Sequence, residues 1–467
     1  MIENCDLIVI GGGPAGSVLA SLVAKQDYKV LLLERDYFPI YKEGESLLPS
    51  INPILELAGL KIEDMEGKYV SKPGGSFRWG KDEELFSFYF GACGQSSKQE
   101  ENPHSTAYQV KRMEFDQQLI SNAISNGVEV REGCKVVNVL EDENSRVIGI
   151  SYKTPSGEQK EVYSKYVADA SGHSSKLAGK TGKRIYSKLY RNVAFFGYFN
   201  EGHRLEGTAS GNTLFEAFSK GWMWYIPLSE QLTSVGALIP KEKLETNKKD
   251  SVSVLNNYIE KTSVIKKLLC DATQATESPY NKIHTRSDFS YCHSKFWRPG
   301  LMLLGDSAAF VDVLLSSGVH LATYSALIGA RSIVTYLSGV LPESLCFDEY
   351  EIRYKKEFLL FYQTLLGLYD QGGEAKSYQY WLRQWLAQTN ACTFEMGLQK
   401  EVSRKVFSLL SGSPINNREN LKKIRRTINT ILESDDEKFS LGKNLMFPSF
   451  ESQLTPTENK LAWKKIV

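Results

Sequence analysis

The sequence predicts a mixed α/β protein: a Rossmann-like three-layer core with an inserted β-sheet region, followed by a helical C-terminal region. Three observations predict it. A strand, a glycine-rich turn, a small-residue helix and a second strand occupy Asp6 to Glu34. Strand-like segments recur from Asn192 to Pro240. After about Tyr336 the pattern turns helical. The 467 residues fit roughly three domains of about 150 residues, or one large catalytic unit with an appendage. With 42% hydrophobic and 24% charged residues, disordered and collagen-like chains are excluded.

The opening elements follow from residue type. Asp6-Leu7-Ile8-Val9-Ile10 is an apolar strand, Gly11-Gly12-Gly13-Pro14-Ala15-Gly16 a turn, Ser17 to Lys25 a helix, and Lys29 to Glu34 a second buried strand. Gly11 permits the tight turn, Gly13 lets the backbone approach a pyrophosphate, and Gly16 lets the helix pack against the sheet. The helix N-terminus offers unpaired N–H groups to phosphates. Glu34, 18 residues after Gly16, stands where a carboxylate accepts from a ribose hydroxyl. The pattern reads as dinucleotide binding. The plain alternative is a glycine-rich turn in an unrelated α/β protein.

Further along, Gly44-Glu45-Ser46-Leu47-Leu48-Pro49 is a turn signal, and Val70 to Gly94 is rich in glycine and aromatic residues. Ala107 to Arg112 precede a helix expected over 114–126. Strands are expected at Val128–Val130 and Val136–Ile150, and Tyr163–Val167 leads to Asp169-Ala170-Ser171-Gly172. Leu301-Met302-Leu303-Leu304 delivers Gly305-Asp306, so Gly11–Gly16 with Glu34, Asp169–Gly172 and Gly305-Asp306 are three candidate nucleotide contacts. The expected layout is a module over 1–340, with inserted sheet segments at about 70–110 and 185–285, and a helical region over 341–467.

Several classes are excluded. The net charge of +1 supplies no cation excess for nucleic acid. The N-terminus lacks a signal-peptide pattern, and the apolar stretch Leu301 to Ala322 is interrupted by Asp306 and Asp312, so no membrane span is expected. The seven cysteines are scattered without a C-x-x-C pair, which argues against zinc, iron–sulfur and disulfide frameworks and fits a cytoplasmic location. The six histidines, including His173, His284 and His320, lack metal-ligand spacing and read as structural.

A dinucleotide fingerprint at the start and a strand-Gly-Asp near residue 305 resemble flavoprotein monooxygenases, which implies FAD. In that class the residue matching Asp306 bonds the ribityl chain and the segment matching Ala107–Arg112 lies along the cofactor, giving Gln109 and Arg112 cofactor roles; a surface polar residue and a surface cation are the alternatives. Pro14, Ala15, Arg35 and Ser46 complete the cofactor set implied.

Gly221-Trp222-Met223-Trp224-Tyr225-Ile226-Pro227 narrows the class. Period-two spacing puts Trp222, Trp224 and Ile226 on one strand face, which by itself describes an ordinary core strand. W-x-W-x-I-P, however, is similar to the signature of flavin-dependent halogenases. That resemblance runs to about residue 335 and includes Gly44–Pro49, Lys72-Pro73-Gly74-Gly75-Ser76-Phe77-Arg78-Trp79-Gly80, and Ser316-Ser317-Gly318-Val319-His320-Leu321-Ala322. The lysine followed by F-x-W-G resembles the phenol and pyrrole branch.

The resemblance implies FADH2 from a separate flavin reductase, O2, and chloride or bromide, giving hypohalous acid. Trp222 and Trp224 would wall the flavin from the organic substrate. The N–H groups of Ser317 and Gly318 would hold the halide, with Gly318 also beside the flavin; a glycine that merely allows a turn is the alternative. Lys72 would deliver the halogen to an aromatic substrate, as an ammonium hydrogen-bonded to hypohalous acid or as a haloamine, whereas a lone lysine before proline reads as an exposed loop cation. Leu315 stands where tryptophan halogenases carry glutamate, consistent with a phenol or pyrrole. Val313 departs from the family's proline, leaving altered halide use, a weakened FAD site or a relative with another oxidative activity open. Phe358, Phe361, Tyr362, Tyr369, Tyr378, Tyr380, Trp381 and Trp385 read mostly as helix core, with a pocket for an aromatic ring as the alternative. Lys422, Lys423, Arg425 and Arg426 read as solvated charge, with docking of an acyl or peptidyl carrier protein as the alternative. A hydroxylating flavin monooxygenase and a non-catalytic flavin- or carrier-binding relative are the competing functions.

Overall fold

The computed structural model describes residues 4–78, 85–90, 106–187, 191–244, 250–287, 289–369, 454–457 and 461–465, apart from the side chains of 363, 364 and 366–369. The fingerprint strands become the centre of an eight-stranded sheet. Its path runs Trp297–Arg298, Leu301–Leu303, Gln159–Asp169, Asn4–Ile10, Val30–Leu33, Glu129–Arg131. The pairings from Leu301–Leu303 through Glu129–Arg131 are parallel. Such strands read as unbroken apolar runs because both faces are covered. Leu7, Val9, Val30 and Leu32 face the helical side, with Val18, Leu19 and Leu22 of the helix Pro14–Ala24. Ile8, Ile10, Leu31 and Leu33 face the opposite side, against Val139, Val147, Ile150 and Val162. Those residues belong to Gln159–Asp169 and the antiparallel strands Lys135–Glu141 and Val147–Lys153. The result is three layers: helix, sheet, β-meander.

The expected strand over 136–150 is thus two strands. Asp142 accepts from the N–H groups of Asn144 and Arg146, and Ser145 takes φ 60°, so a turn divides them. The helix expected from residue 114 begins at Arg112 and spans Arg112–Ser125. Arg112 pairs in bidentate fashion with Asp116 one turn on, at 2.8 Å for each bond, which holds the first turn.

A second eight-stranded sheet packs over the core. Its path is Thr273–Gln274, Asn192–Asn200, Leu232–Pro240, Gly221–Pro227, Thr213–Phe218, Gly74–Arg78, Phe86–Tyr89, with His284–Ser287 also paired to Asn192–Asn200. The period-two split is clean. Phe196, Tyr198, Phe215, Trp222, Trp224, Ile226 and Leu238 join the main core. Met223, Tyr225, Val235, Ala237 and Ile239 face outward onto the helices Ser251–Ile259 and Val264–Leu268.

The long helix Ser317–Leu337 and the helix Glu343–Tyr369 close the main core. Tyr350 and Tyr354, from the second of these, donate to the carbonyls of Leu303 and Gly305. Phe358, Phe361 and Tyr362 are buried in the same core. Tyr378, Tyr380, Trp381, Trp385, Lys422, Lys423, Arg425 and Arg426, like Trp79 and Gly80, lie outside the described residues, as does the side chain of Tyr369. Among the described residues no helix is long and apolar enough to cross a membrane.

Candidate functional site

The glycine turn is shaped by two close approaches. Gly11 has φ +102°, and a Cβ there would lie 2.5 Å from the Ala170 carbonyl oxygen; a Cβ on Gly16 would lie 1.9 Å from that of Gly11. Gly13 differs, because a Cβ there meets nothing within 4 Å. No side chain caps the helix that begins at Pro14. An uncapped helix N-terminus opening onto free space beside Gly13 fits a pyrophosphate. Glu34 braces this turn: Oε2 accepts from Gly12 N at 2.8 Å, and Oε1 from the N–H groups of Arg35 and Asp36. Arg35 is exposed and pairs with Asp36 at 3.2 Å.

The other two candidate segments, Asp169–Gly172 and Gly305-Asp306, clamp each other. Asp169 is buried, binds Ser171 and Ser175, and has its carboxyl pushed upward by burial. Gly172 N donates to Ser307 Oγ at 2.9 Å. Asp306 is partly exposed, and its desolvated surroundings, opposed by the Arg112 guanidinium, raise its carboxyl to about 6. Arg112 also donates to the carbonyls of Glu43 and Gly44, which ties the Gly44–Pro49 turn to the helix it opens. Gln109 Nε2 donates to Thr213 Oγ1 at 2.8 Å and Gly211 O at 3.1 Å, but its Oε1 is buried without a partner. A buried orphan acceptor is costly unless something else satisfies it.

Lys72 ends the strand Val70–Lys72, which pairs with Ala107–Gln109. Far from being a loop cation, it is only 3% exposed. Its Nζ donates to Ser46 Oγ and Leu47 O, each at 2.8 Å, more distantly to Ser316 Oγ at 3.5 Å, and sits 5.6 Å from the Phe90 ring centroid. No carboxylate of the described residues pairs with it. Burial alone pushes its ammonium down to about 7, because the charged form loses hydration. Ser46 Oγ is the hub, lying 2.9 Å from Thr213 Oγ1 and 3.0 Å from Ser316 Oγ.

Ser316 carries this network to the next site. It precedes the helix Ser317–Leu337 in a left-handed conformation, φ 54° and ψ 31°. Its hydroxyl turns to Ser46 and Lys72 and makes no capping bond. The first N–H groups of the helix, those of Ser317 and Gly318 among them, therefore lack a side-chain cap. Ser317 is buried and donates to Asp312 O at 3.3 Å. Val313 points outward at 36% exposure. The departure from proline therefore sits on the loop's rim, while buried Asp312 accepts from Leu314 N inside it.

Trp222 and Trp224 are buried with centroids 5.9 Å apart. Trp224 lies over Gly236, where a Cβ would be 2.2 Å from the indole. From Trp222 an aromatic row continues through Phe215, Phe77 and Phe88 to Phe90, each step 4.9 to 5.9 Å. It ends beneath Lys72 Nζ. The predicted indole pair and the predicted amine thus bound one continuous aromatic surface.

Glu45, unassigned from sequence, belongs to the same neighbourhood. Buried, it is raised to about 7 by desolvation. Tyr198 donates to it at 2.6 Å and Tyr41 lies 2.8 Å from Tyr198 Oη. The only sequence signal was its place directly before Ser46.

Residues 6–105 and 95–403 match the tryptophan halogenase family. A tryptophan 2-halogenase of Chondromyces crocatus is 32% identical over 412 residues, spanning 88% of this chain and 76% of that protein. The flavin-dependent halogenase armH4 of Armillaria mellea is 32% identical over 391 residues, spanning 79% and 72%. Among solved structures, the myxobacterial chondrochloren halogenase CndH, a variant of FAD-dependent halogenases, aligns at 38% identity with a TM-score of 0.79, covering 99% of this chain and all of that one. The flavin-dependent halogenase CmlS aligns at 28% identity with a TM-score of 0.74, covering 92% and 78%.

Proposed function

Because the chain belongs to the tryptophan halogenase family and is a flavin-dependent halogenase, we propose that it halogenates an electron-rich phenol or pyrrole through Lys72. The observation that carries this reading is a buried lysine joined by Ser46 and Ser316 to the turn before Ser317, and by an aromatic row to Trp222 and Trp224.

When bound, FAD reduced by a separate reductase would supply, with O2, the chemistry that turns chloride or bromide into hypohalous acid. The turn at Gly11, Gly13, Pro14, Ala15 and Gly16 would hold the pyrophosphate through the N–H groups of Ala15 and Gly16. Glu34 holds that turn from below. Gln109 Oε1 would accept from the cofactor, and Asp306, Arg112 and Ser46 would line its site. Arg35, exposed and paired with Asp36, serves only the rim. Ser317 and Gly318 present N–H groups to the halide. Trp222 and Trp224 keep the organic ring from the flavin. As an ammonium, Lys72 donates to the hypohalous acid oxygen, which leaves as water when the ring carbon takes the halogen. The ring proton then returns to the amine. A lysine titrating near 7 can do both at neutral pH. Leu315 offers no carboxylate, which fits a substrate whose own hydroxyl or ring nitrogen supplies the electron density. The ring is free or tethered to an acyl or peptidyl carrier protein.

The deciding experiment supplies FAD, a flavin reductase, NADH, O2 and either halide, and screens phenols, pyrroles and their carrier-bound forms by mass spectrometry. A halogenated product is expected; a hydroxylated product formed without halide would overturn the reading. The orphan Gln109 Oε1 has its own test. Gln109→Leu should weaken FAD binding about 10-fold, the worth of one buried hydrogen bond, as read by quenching of flavin fluorescence. Unchanged affinity would leave that oxygen without a ligand role.

A further inference from the structure

His320, which the sequence places among structural histidines, lies in a hydrogen-bonded chain. Its Nδ1 is 2.8 Å from Ser50 Oγ and its Nε2 2.7 Å from Glu357 Oε1. His320 and Glu357 are buried, and Ser50 alone is partly exposed. In the tautomer that donates Nε2–H to Glu357 Oε1, Nδ1 keeps its lone pair and accepts from the serine hydroxyl. Tyr324 stacks 6.0 Å from the imidazole and Phe361 tilts over it at 5.2 Å, locking the ring. Glu357 is the charged group bonded to the ring, while Arg331, Glu349 and Arg353 act electrostatically on the neighbouring Tyr324.

The chain hangs from the two segments that hold Lys72. Ser50 lies in the turn Pro49–Ile51, shortly after Leu47, whose carbonyl accepts from Lys72 Nζ. His320 lies four residues, about one helical turn, beyond Ser316, whose hydroxyl is within reach of the same Nζ. The amine and the partly exposed hydroxyl are therefore held by the same two segments.

We propose that Ser50, backed by His320 and Glu357, takes the hydroxyl proton of a phenolic substrate, an inference that rests on the phenol reading above. The phenol O–H passes its proton to Ser50 Oγ as Ser50 passes its own to His320 Nδ1, and Glu357 stabilises the imidazolium. The phenolate ring carbon takes the halogen from hypohalous acid. The oxygen of that acid leaves as water with the proton from Lys72, and the ring C–H proton goes back to the amine. His320 then returns its proton through Ser50 to the phenolic oxygen. Ser50 is the catalytic residue here; His320 and Glu357 are positioning residues.

The test uses the FAD-loaded enzyme and 4-nitrophenol, whose phenolate absorbs in the visible. Wild type should shift the bound probe toward phenolate, whereas Ser50→Ala and His320→Ala should abolish the shift. Both should halogenate phenols on the order of 10²-fold more slowly, while hypohalous acid trapped by taurine is formed at the wild-type rate. Added imidazole should restore part of the His320→Ala activity, which a merely structural histidine would not allow. An unshifted probe in wild type, or variants that keep both shift and rate, would overturn the proposal. A wild-type enzyme that halogenates pyrroles and no phenol would overturn the phenol reading itself, a result distinct from failure of the proton chain alone.

Discussion

Lys72→Ala should cut halogenation by on the order of 10²–10⁴-fold, the span of one positioned proton donor, while FAD still binds and hypohalous acid still forms. Mass spectrometry of the product, beside a diffusible trap for the acid, separates the two. Equal loss of trapped acid would mean that Lys72 acts earlier than proposed. The same side chain should reveal itself in stability. Its ordinary value of 10.5 falls to about 7 in the fold. Between those values the unfolded chain binds the extra proton, so stability rises with pH across that window. Below about 7 both states carry the charge and the fold bears the whole cost of burying it. Lys72→Met should therefore raise the thermal midpoint most at or below pH 7, with the gain fading toward pH 10.5. An activity loss joined to a stability gain is expected of a functional group held where packing alone would not place it.

Gly16→Ala should be the most damaging single change in the nucleotide turn. Its Cβ would sit 1.9 Å from the Gly11 carbonyl oxygen, and neither backbone can yield without moving the helix off the sheet. Overpacking of this kind costs about 1–3 kcal/mol and occasionally more, so purified protein should carry no flavin and melt earlier. Gly13→Ala provides the contrast. With φ −71° and nothing within 4 Å of its Cβ, the methyl costs the fold little and intrudes only on the phosphate space. That variant should melt as wild type does and bind FAD weakly. Equal melting of the two would refute the division of labour between these glycines.

Local pattern carried much of this architecture. The fingerprint elements, and the alternation that puts Trp222 and Trp224 on one face and Met223 and Tyr225 on the other, follow from period and residue type. Bonds between distant loops do not. Ser46 meets Ser316 across 270 residues, and Glu45 meets Tyr198 across 153; no spacing rule joins such pairs. Lys72 shows the same limit. Its motif marked it, but local chemistry describes a lysine before proline as solvated, and only the packed turn and Phe90 remove the water. The start of the helix at Arg112 was hidden for a related reason, since its first turn depends on an ion pair within the helix and on the carbonyls of Glu43 and Gly44.

Ser316 restricts what mutation can do at its position. Left-handed backbone is comfortable for glycine and tolerable for few others, and β-branched side chains are strained there. Glycine would relax the chain yet forfeit the hydroxyl that reaches Ser46 and Lys72, and threonine would keep the hydroxyl at the expense of the dihedral. Evolution and the protein engineer alike are left a very narrow alphabet at this residue. Drift in the neighbourhood should therefore accumulate at outward Val313, which answers to neither demand.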